Sequence, residues 1–279
     1  MLQLIEKISR GVADRLRHPA LRQYLGNGEI LVDTHHFPMI VPGWDMSLSP
    51  CILIHRDWEP PLTNYLKARI KPGMIAFDVG ANIGWFSCLF ATRGALVHAF
   101  EPNPRLQTIL KKNIFMNAKG FTPKCAVNQC AVGEHRGVFP MRFPHWLVGG
   151  AGLHDFDQSP FLDSLIDQEV NTNVITLDEY CREKGITNVD VIKIDIEGYE
   201  ERALLGATEL INNSPNLMLS IEYTRKRYST AFASWLFERF KVGYLPGLDR
   251  FIDVAFLQEY EAGNVLPDQH FIDIVFSKE

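Results

Sequence analysis

Apolar and polar positions along this chain change period several times, and each change marks an element. Residues 2 to 17 place Leu2, Ile5, Ile8, Val12 and Leu16 at helical spacing. That spacing predicts a one-faced amphipathic helix, packed on its own domain or on a second copy as a homodimer contact. Arg10, Arg15 and Arg17 leave a membrane-surface helix as the alternative. From Gly28 to Ile54 short β-prone pieces are broken by Pro38, Pro42, Gly43 and Pro50, which predicts a small hairpin region over one end of the main domain. From Pro72 buried strands alternate with amphipathic helices. MIAFDV, ALVHAFEP, KCAVNQCAV, NVITL, VDVIKIDI and NLMLSIEY read as strands. Helices are expected from about Ile83, through Lys111 to Asn117, and over DEYCREKG, EERALLGATELI and TAFASWLFERF. The closing HFIDIVFSK reads as one more strand, free to join a sheet edge in either direction. Strands spaced by helices of this length imply a Rossmann-like α/β architecture: a largely parallel sheet with helices on both faces. Ligands in such sheets lie beyond the carboxyl ends of the strands. Residues 1–60 are expected as a helix-and-hairpin extension and 61–279 as the main domain.

Composition narrows the partners. The 279 residues are 46% hydrophobic with a net charge of -5, so no general electrostatic pull toward nucleic acid exists. Cys51, Cys88, Cys125, Cys130 and Cys181 are scattered without a CxxC, which fits reduced, mostly buried thiols. The first residues interleave charges with apolar positions, so no signal-peptide core is read there, and no apolar run is long enough to span a bilayer. A cytoplasmic protein is the expectation.

Three segments carry chemistry. In FDVGANIGWFS, residues 77 to 87, a strand ends at Asp78 and a glycine turn leads into a helix. Gly80 permits dihedrals closed to other residues, and Gly84 would permit close helix-to-strand packing. A phosphate-binding P-loop needs GxxxxGK, which is absent; a dinucleotide turn needs GxGxxG, but Asn82 and Trp85 occupy two of its glycine positions. Asp78 would also meet a pyrophosphate badly. A cationic cofactor without phosphate suits the turn, and S-adenosylmethionine is such a molecule. Glu101 ends the next strand about 20 residues further on, where this fold places a ribose-binding acid; the alternative is a charge at a helix start. In VDVIKIDIEGYE, alternation puts Lys193, Asp195 and Glu197 on one side of a strand end. Three charges amid Val and Ile must pair or meet a ligand. Weaker candidates are Glu222, which faces the acceptor or caps the sheet, and the run Arg225 to Arg227, more often a solvated face. His145 and His154 are more often surface residues, and His35 and His36 read as structural.

Taken in order, FDVGANIGWFS, AFEPNPRLQTILKKNIFMN, CAVGEHRG, VITLDEYCREKGI, VDVIKIDIEGYEERALLGA and LSIEY resemble the FkbM-type methyltransferases, as does WEP at 58 to 60. The resemblance covers about residues 55 to 225. It implies a class I methyltransferase fold with a mostly parallel seven-stranded sheet and an antiparallel strand near the C-terminus. It also implies S-adenosylmethionine as donor and O-methylation of a small-molecule or sugar hydroxyl. Carried over, Asp78, Gly80, Ala81, Asn82 and Gly84 would surround the methionine end, with Glu101 on the ribose and Asn103 beside it. Cys130 and Ala131 would lie near the adenine, and Asp195 and Glu197 would face the transferring methyl. Gly152 stands where the family more often has serine, which puts an acceptor contact from that loop in doubt.

A neutral alcohol needs a base as the new bond forms. Asp195 is the first candidate, with Glu197 or Lys193 next. A divalent cation is chemically possible, but no ligand set in the sequence indicates one. The segment Asp195-Ile-Glu-Gly lacks the Pro-Pro-aromatic pattern expected of an adenine amino-methyltransferase. Two other readings stay open: an NAD-dependent oxidoreductase, since Glu101 suits either ribose, and a non-catalytic S-adenosylmethionine-binding protein.

Overall fold

The structure is a computed structural model that describes residues 22–26, 28–118, 125–144, 146–148 and 166–278. The expected N-terminal helix, His145, His154 and Gly152 lie outside the described residues. The extension forms a three-stranded antiparallel meander, β1 (Arg22–Gly26), β2 (Glu29–Asp33) and β3 (Pro38–Pro42), one strand more than a hairpin. Two helices follow, α1 (Leu48–His55) and α2 (Pro60–Arg69).

The main unit then runs β4 (Ile75–Val79), α3 (Trp85–Thr92), β5 (Leu96–Phe100), α4 (Gln107–Asn117) and β6 (Cys125–Asn128). Next come β7 (Ala131–Val132), β8 (Gly137–Pro144), β9 (Ile166–Ile175), α5 (Leu177–Lys184) and β10 (Val191–Ile194). After them lie α6 (Glu200–Leu205), α7 (Thr208–Asn213), β11 (Met218–Thr224) and α8 (Phe232–Arg239). The chain closes with β12 (Val242–Leu245), β13 (Arg250–Ile252), α9 (Val254–Ala262) and β14 (Phe271–Ser277).

The main sheet has eight strands in the order β13-β12-β14-β11-β10-β4-β5-β6. The five strands from β11 to β6 pair in parallel, whereas the β11–β14, β14–β12 and β12–β13 pairings are antiparallel. The fold is the expected Rossmann-like α/β class, with one strand more and less parallel pairing than a seven-stranded, mostly parallel sheet. Two strands not indicated by the sequence pattern, β12 and β13, form a hairpin beyond β14, while β9, expected among the strands, lies outside this sheet; β14 resolves its open direction as antiparallel.

Two expected elements are split. KCAVNQCAV is two strands, because β7 leaves the main sheet to pair with β9 in a small sheet of order β7-β9-β8. EERALLGATELI breaks at Gly206, where a Cβ would lie 2.2 Å from the Gly133 carbonyl oxygen. The helix interrupts so that backbone can approach backbone.

Strand alternation sends neighbours into two cores. Phe77, Val79, Ile192 and Ile194 join the side built on α5 to α9, with Leu177, Leu204, Leu236 and Leu257. Ala76 and Val191 face the other side, with Leu66, Leu89 and Leu110. Burial on both faces is what parallel strands require. The extension shares the second core through Val32, Met39 and Val41. Buried Asn113 of α4 fastens it: its Oδ1 accepts the Ile40 N–H at 2.7 Å, and its Nδ2 donates to the Ile40 and Ile83 carbonyls. Asp45 stitches the other edge, accepting N–H donors of Ser47, Leu48 and Ser49 at the start of α1 and of Val148. No helix among the described residues is long and apolar enough to cross a membrane.

Candidate active site

The turn after β4 folds on itself in a way that decides what it can bind. Gly80, Asn82 and Gly84 all have positive φ, at 82°, 52° and 94°. Asn tolerates this left-handed region better than most side chains, so position 82 needs no glycine. The Gly80 and Ala81 N–H groups both donate to the Phe100 carbonyl at 3.0 Å, and the Gly84 N–H donates to Ala81. The Asn82 N–H donates to Glu101 Oε2 at 2.8 Å. A phosphate cradle presents such N–H groups to its ligand. Here they are spent on the end of β5. A Cβ on Gly80 would sit 1.9 Å from the Asp195 carbonyl oxygen, so this turn also packs against the end of β10.

Glu101 is held from both sides, its Oε1 accepting the Asn103 N–H at 2.8 Å. It is only 5% exposed, and burial pushes its carboxyl up to about 7 against the pull of those two N–H donors. Each carboxyl oxygen takes one backbone donor and keeps a second acceptor direction. The side chain of Asn103 turns back to accept the Arg105 N–H at 3.0 Å. Asn103 thus positions Glu101 and does not line the cavity; the resemblance had put it beside the ribose. Gly84 departs from expectation in the same way. As the residue before α3, it packs against α4, where a Cβ would meet the Leu110 side chain at 2.7 Å. It too is absent from the lining.

Every other residue singled out for cofactor or catalysis lines one cavity of about 560 Å³ at the carboxyl ends of β4, β5, β10 and β11. Asp78, Gly80, Ala81, Asn82, Glu101, Cys130, Ala131, Lys193, Asp195 and Glu197 all border it. Small-molecule sites typically measure about 300–1,000 Å³. Asp78 and Lys193 are register partners across β4 and β10, and Ser220 of β11 continues the row. Buried Asp78 accepts from Ser87 Oγ at 2.6 Å, and burial raises its carboxyl pKa despite Lys193. Lys193 donates to Asp195 Oδ2 at 2.7 Å and lies 4.7 Å from the centre of the Phe86 ring. Burial alone would discharge Lys193, but Asp195, Glu59 and Asp78 outweigh it and raise its pKa, so the ammonium stays charged. Asp195 and Lys193 form the expected same-side pair, and Glu197 follows in a left-handed conformation with φ 58°.

Sequence reasoning missed the contribution of the extension. Ser47, Leu48, Trp58 and Glu59 close one side of the cavity. Glu59 precedes α2 with φ 44°, and its Oε2 is buried with no hydrogen-bond partner. Only WEP at 58 to 60 signalled it. Glu222, left open between acceptor and sheet cap, does line the cavity. Arg225 does not: its guanidinium donates to the Val265, Leu266 and Pro267 carbonyls. His36 is structural as expected, bonded to Asp57 and Lys67. No group of three or more His, Cys, Asp or Glu side chains suited to a metal ion occurs among the described residues.

The site is thus an acid-lined crevice at the switch point of a Rossmann-like sheet, beside a glycine turn whose N–H groups at residues 80 to 82 are already bonded. Residues 78–246 match the methyltransferase FkbM domain family, and the chain belongs to it. It is 34% identical over 167 residues to 31-O-demethyl-FK506 methyltransferase FkbM of Streptomyces tacrolimicus, covering 50% of this chain and 62% of that protein. It is 28% identical over 144 residues to hexuronic acid methyltransferase AglP of Haloferax volcanii, covering 50% and 52%. The matches thus span little more than half the length of these curated relatives. Among solved structures, magnesium protoporphyrin IX methyltransferase of Synechocystis PCC 6803 with bound SAM is a looser likeness. Its TM-score is 0.42 at 11% identity, covering 79% of this chain and 77% of that one.

Proposed function

We propose that the protein is an S-adenosylmethionine-dependent O-methyltransferase acting on a hydroxyl of a small molecule or carbohydrate. The observation that carries this reading is the pairing of consumed turn N–H groups with a carboxylate-lined cavity. A pyrophosphate would find no free donors at residues 80 to 82 and would meet Asp78 and Glu101, which argues against the oxidoreductase reading. A cationic donor meets acids where it needs them. The fit extends to detail, because Glu101 keeps one acceptor direction per oxygen and Asn82 Oδ1 is buried without a partner. In this reading Glu101 holds the ribose hydroxyls, Asp78 and the Gly80–Asn82 turn surround the amino acid end, and Cys130 and Ala131 border the adenine. Of the two curated relatives, the one named for 31-O-demethyl-FK506 agrees with an oxygen acceptor, and the one named for a hexuronic acid agrees with a carbohydrate acceptor.

When bound, the donor supplies an activated methyl group; the protein's task is to align an oxygen and remove its proton. Lys193, held charged among carboxylates, is assigned to clamping Asp195 and not to proton abstraction. With Oδ2 fixed by that clamp, Asp195 Oδ1 is presented to the cavity as the proton acceptor, and Glu197 is the second candidate. The test is transfer of radiolabelled methyl groups from S-adenosylmethionine into fractionated small-molecule and glycan extracts. Label in a hydroxyl-bearing product supports the reading; donor binding with no labelled product in any fraction would favour the non-catalytic binding protein.

A further inference from the structure

The cavity holds more acid than the donor explains. Across the main sheet the order β5-β4-β10-β11-β14 puts Glu101 on one side, the Lys193–Asp195 pair in the middle, and Glu222 and Phe271 on the other. Four strand spacings of about 4.8 Å separate β5 from β14, so these are opposite ends of the site. Glu222 and Asp273 are register partners across the antiparallel β11–β14 pair, and thus share a face. Like charges directly opposite destabilise a sheet, and here both side chains are half-buried. Neither carboxylate has a hydrogen-bond donor among the described residues. Glu59 approaches from the extension; the Trp58 side chain donates to its carboxyl, but its buried Oε2 lacks a donor. Lys193, the cation nearest to them, is already paired with Asp195 at 2.7 Å. Burial together with repulsion from neighbouring acids raises the pKa of all three, while Lys193 opposes it. Trp58 and Phe271 supply aromatic surface beside them.

Resting on the function proposed above, we propose that the acceptor is an amine-bearing sugar or aminopolyol. Its ammonium group is held by Glu59 and Glu222, which line the cavity, with Asp273 beside Glu222 adding negative charge from behind, and the hydroxyl to be methylated is turned toward Asp195. A protonated amine supplies donors to Glu222 and to Glu59 Oε2, and a second positive charge to acids that share only Lys193. An anionic acceptor would be repelled.

The test titrates glucosamine, N-acetylglucosamine and glucuronate into the full chain, with and without S-adenosylhomocysteine, followed by ligand-observed NMR. Glucosamine should bind at least about tenfold more tightly than the other two, the worth of one charge-assisted contact. Glu222→Gln and Glu59→Gln should each weaken glucosamine by about fivefold or more and leave S-adenosylhomocysteine within about twofold. Both variants relieve repulsion, so thermal unfolding should show them folded. Equal binding of N-acetylglucosamine or glucuronate, no binding of any of the three, or unchanged glucosamine affinity in both variants would overturn the proposal. So would a loss of S-adenosylhomocysteine affinity in Glu222→Gln, which would assign the cluster to the donor. If S-adenosylhomocysteine fails to bind the unaltered chain, the donor reading falls, and the sugar series alone still decides the amine site.

Discussion

Glu101→Gln isolates the ribose acid with little change in shape. In the native protein the two carboxyl oxygens accept the Asn82 and Asn103 N–H groups, both at 2.8 Å. Glutamine offers one carbonyl oxygen and an NH2, so one buried backbone N–H loses its acceptor, at about 1–3 kcal/mol. Neutralising a carboxyl that burial has already pushed up to about 7 returns part of that cost. The expected stability loss is therefore about 1 kcal/mol, a melting temperature lower by a few degrees. Donor affinity should suffer more. Losing a charged acceptor for ribose hydroxyls removes about 1.5–3 kcal/mol, or roughly 10- to 150-fold in Kd. Isothermal calorimetry with S-adenosylhomocysteine reads this directly. It also carries a pH signature: native binding should tighten as pH rises from about 6 to about 8 and Glu101 ionises, while Glu101→Gln should lose that contribution. A folded variant that binds within about twofold of the native protein would remove Glu101 from the cofactor site.

Other substitutions and conditions test separate links. Asp195→Asn should keep S-adenosylhomocysteine affinity and reduce turnover by about 10²–10⁴-fold, measured with labelled donor; full activity would dismiss Asp195 as base. Gly80→Ala would put a methyl 1.9 Å from the Asp195 carbonyl oxygen at a φ of 82°, so thermal unfolding should show a loss of more than about 2 kcal/mol. An unchanged melting temperature would mean the β4–β10 turn is not packed as described. The donor-free protein should lose stability as pH rises from about 5 to about 8. Half-buried Glu59 and buried Glu101 hold protons more tightly folded, at about 8 and about 7, than at the ordinary glutamate value of 4.5. Folding then binds protons in that window, and the stabilisation fades as pH climbs through the folded values. A melting temperature that rises steadily over the same range would contradict the burial of these acids.

Much of this was legible because buried parallel strands leave a plain record. MIAFDV, ALVHAFEP, VDVIKIDI and NLMLSIEY are apolar runs that each carry an acid near the carboxyl end, and Asp78, Glu101, Asp195 and Glu222 do border the cavity. What escaped depends on long-range pairing. Two small apolar residues carry no direction of their own, so nothing local shows that Ala131 and Val132 leave the line of β6 to join β9. The β12–β13 hairpin is short and half-exposed, so its alternation is weak. Glu59 could not be recognised from local pattern, because its meaning comes from α2 carrying it to Lys193 across more than a hundred residues of chain. Gly84 and Asn103 show the converse. Both sit in the motif, yet one packs α3 on α4 and the other holds Glu101 in place.

Everything above depends on carboxylates at the ends of β4 and β5 cradling an adenosyl group joined to a cationic amino acid. The crystal structure of the protein grown with S-adenosylhomocysteine puts this to the test without intermediaries. Ribose oxygens should lie within hydrogen-bonding distance of Glu101, the base against Cys130 and Ala131, and the amino acid end beside Asp78. Ligand density outside this cavity, or a cavity that takes up a nicotinamide dinucleotide in its place, would refute it.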